Sequence, residues 1–325
     1  MLTNKAPLWI ALLLSILTIL CSAFAPLPII AEIVLFSILC LIFPSPILCL
    51  VPVFSFIFSF SINYFAVRNI ASALTAGANA MFFLLPSVLI AVSFLRKYSK
   101  SITVFNGAIG IYIYGFFLVV LGFILSYGKF TPQLLNDAIE NSFSASLQSM
   151  LQQATLLLPD NQLLEERIPF IEQSFYAIKP LLPASLFSIT FIISYLSVII
   201  INAVLKRIGL IKNISYRIIP RWQTGAVFLI FSILSSIAPV SSFFWVMASS
   251  VKIILLPLFQ IVGVGVIYDT LKRFFNKGIF SKILPVISLL FLIVIFYSFF
   301  YLIGCIYCIV NGSKSFINNS KGENQ

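Results

Sequence analysis

The chain has 325 residues, of which 61% are hydrophobic and 9% are charged, whereas a soluble domain carries about 25% charged residues. This composition and a mean hydropathy of +1.11 exclude a water-soluble fold and indicate a membrane protein. The net charge of +11 does not indicate nucleic-acid binding, because the basic residues lie in short loops between apolar runs, where they orient the protein and meet anionic lipid.

Histidine is absent, so the commonest general base and metal ligand is missing. The five cysteines lie in apolar runs, where a free cysteine behaves as a small hydrophobic side chain. For Cys305 and Cys308, which form a C-x-x-C motif, the alternative is a redox pair. No Ser-Lys pair, paired Asp or zinc motif stands at a usable spacing, so we expect no enzyme, no metal and no cofactor.

The first apolar run, Ala6–Ala25, resembles a secretory signal, but Pro26 disfavours cleavage, and we predict an uncleaved first span. Four small side chains recur along one face of that helix at spacings of four and three. Such a stripe permits close approach of another helix, either within the chain or on another membrane subunit. Its members are Ala11, Ser15, Thr18 and Ser22.

Residues 29–67 are apolar but interrupted by Pro44-Ser45-Pro46, so we predict two spans, a short one over Ile29–Phe43 and a second over Ile47–Val67. The alternative is a single crossing or a re-entrant hairpin. Glu32 near the start is either a buried functional carboxylate or a solvated side chain at headgroup level. The next predicted span, Ala73–Leu95, carries Asn79, expected to form an interhelical hydrogen bond or, alternatively, a ligand contact. Basic residues from Arg96 to Lys100 then mark a cytoplasmic loop, followed by a span over Val104–Tyr127.

Residues 128–180 form the one sizeable segment without a span. Thr131-Pro132 is a typical helix start, and apolar residues then recur at three- and four-residue spacings, which predicts an amphipathic helix. A second helix is predicted from about Gln162 to Ile178. The segment has a net charge of −3, from three basic and six acidic residues. We expect an extracytoplasmic helical pair on the membrane surface, or a lid over a ligand cavity.

The segment Lys206–Trp222 pairs dense positive charge with a break in hydrophobicity, and it contains no acid. Its basic residues are Lys206, Arg207, Lys212, Arg217 and Arg221. A basic loop between two spans stays in the cytoplasm, so this anchor loop orients the chain and places the N-terminus in the cytoplasm. The predicted spans that flank it are Leu181–Leu205 and Thr224–Met247. Two more predicted spans follow, Val251–Leu271 and Ile283–Val310.

The sequence therefore predicts an all-α fold: a single integral membrane domain over residues 1–325, with about eight spans, or nine if residues 29–67 cross twice. A polar tail, residues 311–325, is predicted to be disordered. The expected location is a bacterial inner membrane, and the expected partner is the lipid bilayer rather than nucleic acid.

Three stretches suggest a family. The segments LLPASLFSITFIISYLSVIIINAVLKRIG, ISYRIIPRW and FQIVGVGVIYDTLKRF resemble the YybS-like family of polytopic bacterial membrane proteins over roughly residues 180–310. The span pattern of that family is similar to the substrate-binding subunits of energy-coupling-factor transporters. The resemblance implies a membrane subunit that binds a small molecule and relies on a separate ATPase, and the chain indeed lacks a G-x-x-x-x-G-K-[ST] loop.

Two functional hypotheses follow. The first is a transport-related subunit that binds a small molecule between its helices. Its candidate polar contacts are Glu32, Asn63, Asn79, Asn202, Gln260 and Asp269. The second is a structural or assembly protein of the cell envelope that acts on protein partners through the anchor loop or the outer helices.

Overall fold

A computed structural model describes most of the chain. The described residues are 8–24, 29–43, 45–157, 161–209, 218, 220–275, 283–296 and 299–322. All regular elements among them are helical, which confirms the predicted all-α fold. Lys212 and Arg217 of the anchor loop lie outside the described residues.

The helices are numbered in chain order within that part of the chain. They are α1 Leu8–Phe24, α2 Ile29–Ile42, α3 Leu50–Val67, α4 Ile70–Ala80, α5 Leu84–Leu95, α6 Lys100–Tyr127, α7 Pro132–Leu157, α8 Asn161–Ile178, α9 Leu182–Arg207, α10 Trp222–Ile237, α11 Phe243–Phe274, α12 Leu284–Phe296 and α13 Phe300–Gly322.

Among the described residues, five helical stretches are long and apolar enough to cross a bilayer, or six if a strongly bent pair counts as one span. The chain is therefore a polytopic helical membrane protein. The five are Ile47–Val67, Ile70–Leu95, Lys100–Tyr127, Ile168–Arg207 and Phe243–Phe274. The prediction of about eight spans also counted apolar helices that are shorter. The longest of these, α1, has 17 residues and covers about 26 Å, less than the ~30 Å of a bilayer core.

Proline and serine set several helix boundaries. The predicted break at Pro44-Ser45-Pro46 separates α2 from α3, and Pro46 opens a short 3₁₀ turn. The predicted span Thr224–Met247 is wrong: α10 ends at Ile237, and Phe243–Met247 belong to α11. Pro239 cannot continue a helix, and the Ser242 hydroxyl accepts a hydrogen bond from Trp245 N at 3.2 Å, which starts α11.

Two other predicted elements also differ. The predicted span Ile283–Val310 consists of two helices, α12 and α13, whose axes differ by 109°. Helix α13 continues to Gly322 and so includes most of the segment 311–325, predicted as a disordered tail. The predicted span Ala73–Leu95 is confirmed as part of the spanning stretch Ile70–Leu95. A turn at residues 81–83 divides that stretch into α4 and α5, three residues before Pro86, whose missing N–H cannot serve the carbonyl of Phe82.

Two buried clusters hold the helices together. The first joins α1, α2, α5, α6 and α9, with Leu258 of α11 reaching into it. The second is smaller and contains Phe228 of α10, Phe259 of α11 and Cys305 of α13. Helix α11 therefore contributes to both clusters and connects them.

Helices α7 and α8 form a hairpin, as predicted. The Thr131 hydroxyl accepts a hydrogen bond from Leu134 N at 3.2 Å, which caps α7. The ring centroids of Phe143 and Phe175 lie 5.0 Å apart, and Lys179 Nζ lies 3.1 Å from Glu140 Oε2. The stretch from Ile168 to Arg207 contains 40 residues, about 60 Å of helix, so its charged α8 end projects beyond a ~30 Å bilayer core.

Candidate functional site

A small cavity lies at the end of the bundle where α6 begins and α9 ends. Its volume is about 10 Å³, enough for roughly one water molecule. It is lined by Lys100, Val104, Tyr195, Val198, Ile199, Asn202 and Ile218. We refer to it as the Lys100 cavity.

Local sequence places the polar groups of this cavity. The Ser99 hydroxyl accepts a hydrogen bond from Ile102 N at 3.4 Å and caps α6, so Lys100 is the first residue of that helix. On α9 the lining residues from Tyr195 to Asn202 are spaced by three, one and three, which places them on one helical face. Ile218, a residue of the anchor loop, completes the lining of the cavity.

A close contact between α6 and α9 fixes the cavity walls. The buried Ser194 hydroxyl donates a hydrogen bond of 2.7 Å to the carbonyl of Val104. A Cβ on Gly107 would overlap Ser194 Oγ and the side chain of Ile90. Glycine at this position therefore lets α9 approach α6 closely, and the hydrogen bond sets their register one turn from the cavity.

The charge in the cavity belongs to Lys100. Its Nζ is buried and has no hydrogen-bond partner among the residues that the structure describes. Asn202 is also buried, and its Nδ2 donates to the carbonyl of Val198 at 2.9 Å. A buried ammonium without an anionic partner is costly, so the cavity suits a negatively charged group.

The surrounding charges are also positive. Arg96, Lys97, Lys206, Arg207 and Arg221 are all exposed, and neither the segment 96–100 nor the segment 206–221 contains an acid. The Arg96 guanidinium donates a 3.3 Å hydrogen bond to the Tyr98 hydroxyl, which raises the pKa of Arg96. Since Lys100, Asn202 and Ile218 line one cavity, both basic segments lie at the same end of the bundle. The cytoplasmic side of that end stays a prediction.

The six predicted contact residues lie on five helices, and Asn202 is the one that lines the Lys100 cavity. Glu32 is 8% exposed. The chain itself therefore buries this carboxylate, whereas the alternative prediction was a solvated side chain at headgroup level. Asn63 Nδ2 donates to the carbonyl of Ser59, on its own helix, at 3.4 Å. Asn79 is exposed on the bundle surface. Gln260 is buried within α11, and Asp269 is half-buried near its end.

The small-residue stripe of α1 faces its own chain at two positions. Ala11 is 7% exposed and Thr18 is fully buried. The Ser15 hydroxyl donates to the carbonyl of Ala11 at 2.7 Å, and the side chain of Ser22 lies outside the described residues. Ala11 and Thr18 therefore pack against their own chain. This is the first of the two predicted roles of the stripe, the second being contact with another membrane subunit.

The cysteines carry no disulfide: all five are free. Cys305 and Cys308 are fully buried, and Cys305 Sγ donates to the carbonyl of Gly225 at 3.4 Å. Cys49 is exposed, unlike the buried position expected for it. Within the described residues, no group of three or more Cys, Asp or Glu side chains could hold a metal ion.

Sequence reasoning assigned Lys100 to a loop and gave no role to Tyr195 or Ile218. The available signal was the serine before Lys100, which marks a helix start, and the face shared by Tyr195 and Asn202. Periodicity cannot show which helices are neighbours, so the meeting of Lys100 with Asn202 was not predictable from one sequence.

Comparison of the chain with protein-family models, with curated proteins and with solved structures finds no match.

Proposed function

We propose that this integral membrane protein is an assembly component of the envelope that presents the α7–α8 hairpin to a protein partner. The observation that carries the proposal is the projecting helix. The stretch Ile168–Arg207 is about twice as long as a bilayer core is thick, and its charged end is folded against α7. A membrane anchor with a projecting helical hairpin is suited to contacting another protein outside the bilayer.

The hairpin surface supports this role. Phe170 is 73% exposed and Met150 is 47% exposed. The Phe143–Phe175 and Glu140–Lys179 contacts set an antiparallel register that places Met150 opposite Ile168, close along the hairpin to Phe170. Apolar side chains outside the bilayer gain nothing from lipid tails, and exposed apolar groups of this kind are typical of protein interfaces.

In-cell photocrosslinking tests the proposal. A photoreactive phenylalanine analogue at position 170 should give a discrete protein adduct, whereas the same analogue at position 189, on the apolar surface of α9, should not. Ile189 is 54% exposed and serves as the matched lipid-facing control. Met150→Glu should remove the adduct at position 170 without lowering the thermal stability. Adducts with lipid alone at position 170, or equal protein adducts at both positions, would refute the proposal.

A second candidate function is the transport-related subunit implied by the YybS-like resemblance. The observation in its favour is Asn202, a predicted contact residue that lines the Lys100 cavity. The volume of about 10 Å³ argues against a vitamin-sized ligand in that cavity, since such ligands occupy pockets of roughly 300 Å³ or more. A ligand-dependent rise of the melting temperature with one member of a vitamin and metabolite panel would favour this function over the first.

A further inference from the structure

We propose that the Lys100 cavity receives a phosphate oxygen of an anionic lipid headgroup. The proposal does not depend on the hairpin function, because the cavity and the hairpin are separate parts of the molecule. Three features carry it: the buried ammonium, the position of the cavity at the ends of spanning helices, and the charge around it.

The first feature is the ammonium of Lys100. Lys100 lines the cavity, and its Nζ is buried without a hydrogen-bond partner among the described residues. The anchor-loop residues that the structure does not describe include no acid in their sequence, so they cannot supply a carboxylate either. An anion from outside the chain is therefore the natural counter-charge. The cavity has room for one oxygen atom of such a group.

The second feature is the level of the cavity relative to the membrane. Lys100 is the first residue of the span Lys100–Tyr127, and Asn202 lies near the end of the span Ile168–Arg207. Ends of spans lie at headgroup level. On the same two helices, Ile102, Phe105 and Ile200 are between 41% and 47% exposed and offer apolar surface to acyl chains. One lipid molecule can place its phosphate at the Lys100 ammonium and its acyl chains on this apolar surface, whereas free phosphate can contact only the ammonium.

The third feature is the unbalanced charge at this end of the bundle. The segments 96–100 and 206–221 together carry eight basic residues and no acid. Basic pockets between spanning helices bind anionic headgroups, and each basic residue near the surface strengthens that attraction. The exposed lysines and arginines attract anionic lipid to this end in general, and Lys100 selects one position for the phosphate.

Native mass spectrometry of the full chain in detergent tests the assignment. The protein is titrated separately with phosphatidylglycerol, phosphatidylcholine and inorganic phosphate. Wild-type protein should retain one phosphatidylglycerol in preference to phosphatidylcholine and should show no phosphate adduct. Lys100→Met should weaken phosphatidylglycerol binding about tenfold or more, because it removes a charged hydrogen bond. The control Lys97→Met, which removes an exposed charge from the same end, should weaken it by at most about fivefold.

The outcomes separate the alternatives. Equal phosphatidylglycerol binding by the wild type and Lys100→Met overturns the assignment of Lys100. A phosphate adduct that depends on Lys100 overturns the lipid as the source of the anion. If the wild type shows no preference for phosphatidylglycerol over phosphatidylcholine, the cavity does not select an anionic lipid, and the proposal is overturned without any variant. If Lys100→Met does not fold, Lys100→Gln takes its place, and Lys100→Arg should keep the lipid adduct.

Discussion

The contact between α11 and α13 differs from the contact between α6 and α9 in what lies between the helices. At the first contact, Cβ atoms on Gly263 and Gly304 would overlap backbone atoms of Phe300 and Phe259, respectively. At the second, the Cβ of Gly107 would overlap side-chain atoms, and a hydrogen bond from Ser194 links the helices. One contact is backbone against backbone, and the other includes a polar side chain.

The difference matters because lipid tails are as apolar as leucine, so burial of apolar surface does not drive helices together in a bilayer. Close packing and interhelical hydrogen bonds remain as the interactions that hold helices together in a bilayer. Helices α11 and α13 pack backbone against backbone at Gly263 and Gly304, and a backbone atom cannot move aside for an added methyl group. Helices α6 and α9 use both means, and a side chain can shift. The two contacts should therefore respond differently to the same substitution.

The largest effect is expected from Gly304→Ala. Its new methyl group meets the carbonyl of Phe259, and relief requires separation of the helices, so we expect a loss of about 3 kcal/mol in the free energy of unfolding. Reversible unfolding in mixed micelles would measure it. The control is Gly122→Ala, where nothing lies within 4 Å of the added Cβ. Equal stability of the two variants would show that the helices do not cross at these glycines.

An intermediate effect is expected from Gly107→Ala. The added methyl group meets Ser194 Oγ and the Ile90 side chain, both able to move by small amounts, so we expect a loss of about 1–2 kcal/mol.

A double-mutant cycle sharpens this prediction. Ser194→Ala alone removes one interhelical hydrogen bond, worth about 0.6 kcal/mol in a membrane protein. With Gly107→Ala it also removes one of the overlapping atoms, so the double variant should lose less than the sum of the single losses. Additive losses would mean that Gly107 and Ser194 do not share a contact.

These two contacts also show where sequence reasoning stops. The glycines themselves are visible in the sequence: Gly107 lies in the predicted span Val104–Tyr127 and Gly263 in the predicted span Val251–Leu271. Which backbone meets each glycine depends on helix neighbours far apart in the chain, and hydrophobic periodicity does not encode that pairing. The hairpin was predicted with its boundaries because Thr131-Pro132 and the spacing of apolar residues are local signals.

The same limit explains the errors at helix ends. Thr224–Met247 is apolar almost throughout, so hydropathy gave no reason to end the span at Ile237. The decisive signals were Pro239 and the capping Ser242, which are local but weak within an apolar run. At the cavity, Asn202 was selected for its polarity inside a span, whereas Lys100 was assigned to orientation. In the structure the two residues line the same cavity.

The smallest effect is expected at the Glu140–Lys179 ion pair of the hairpin, which links helices outside the spanning part of the chain. Its side chains are 54% and 23% exposed, respectively, and 3.1 Å apart, so water screens the attraction and we expect Glu140→Gln to cost at most about 0.5 kcal/mol. The cost should vanish near 1 M salt, where the screening length is about 3 Å. Asp137→Asn, which changes an exposed acid on the same helix, is the control for the change in net charge.

Since the Ser194 hydrogen bond is buried between helices, the loss of unfolding free energy caused by Ser194→Ala should not change with salt. If both losses fell with salt, the α6–α9 contact would be open to water, and its hydrogen bond would not differ from a polar link on the surface.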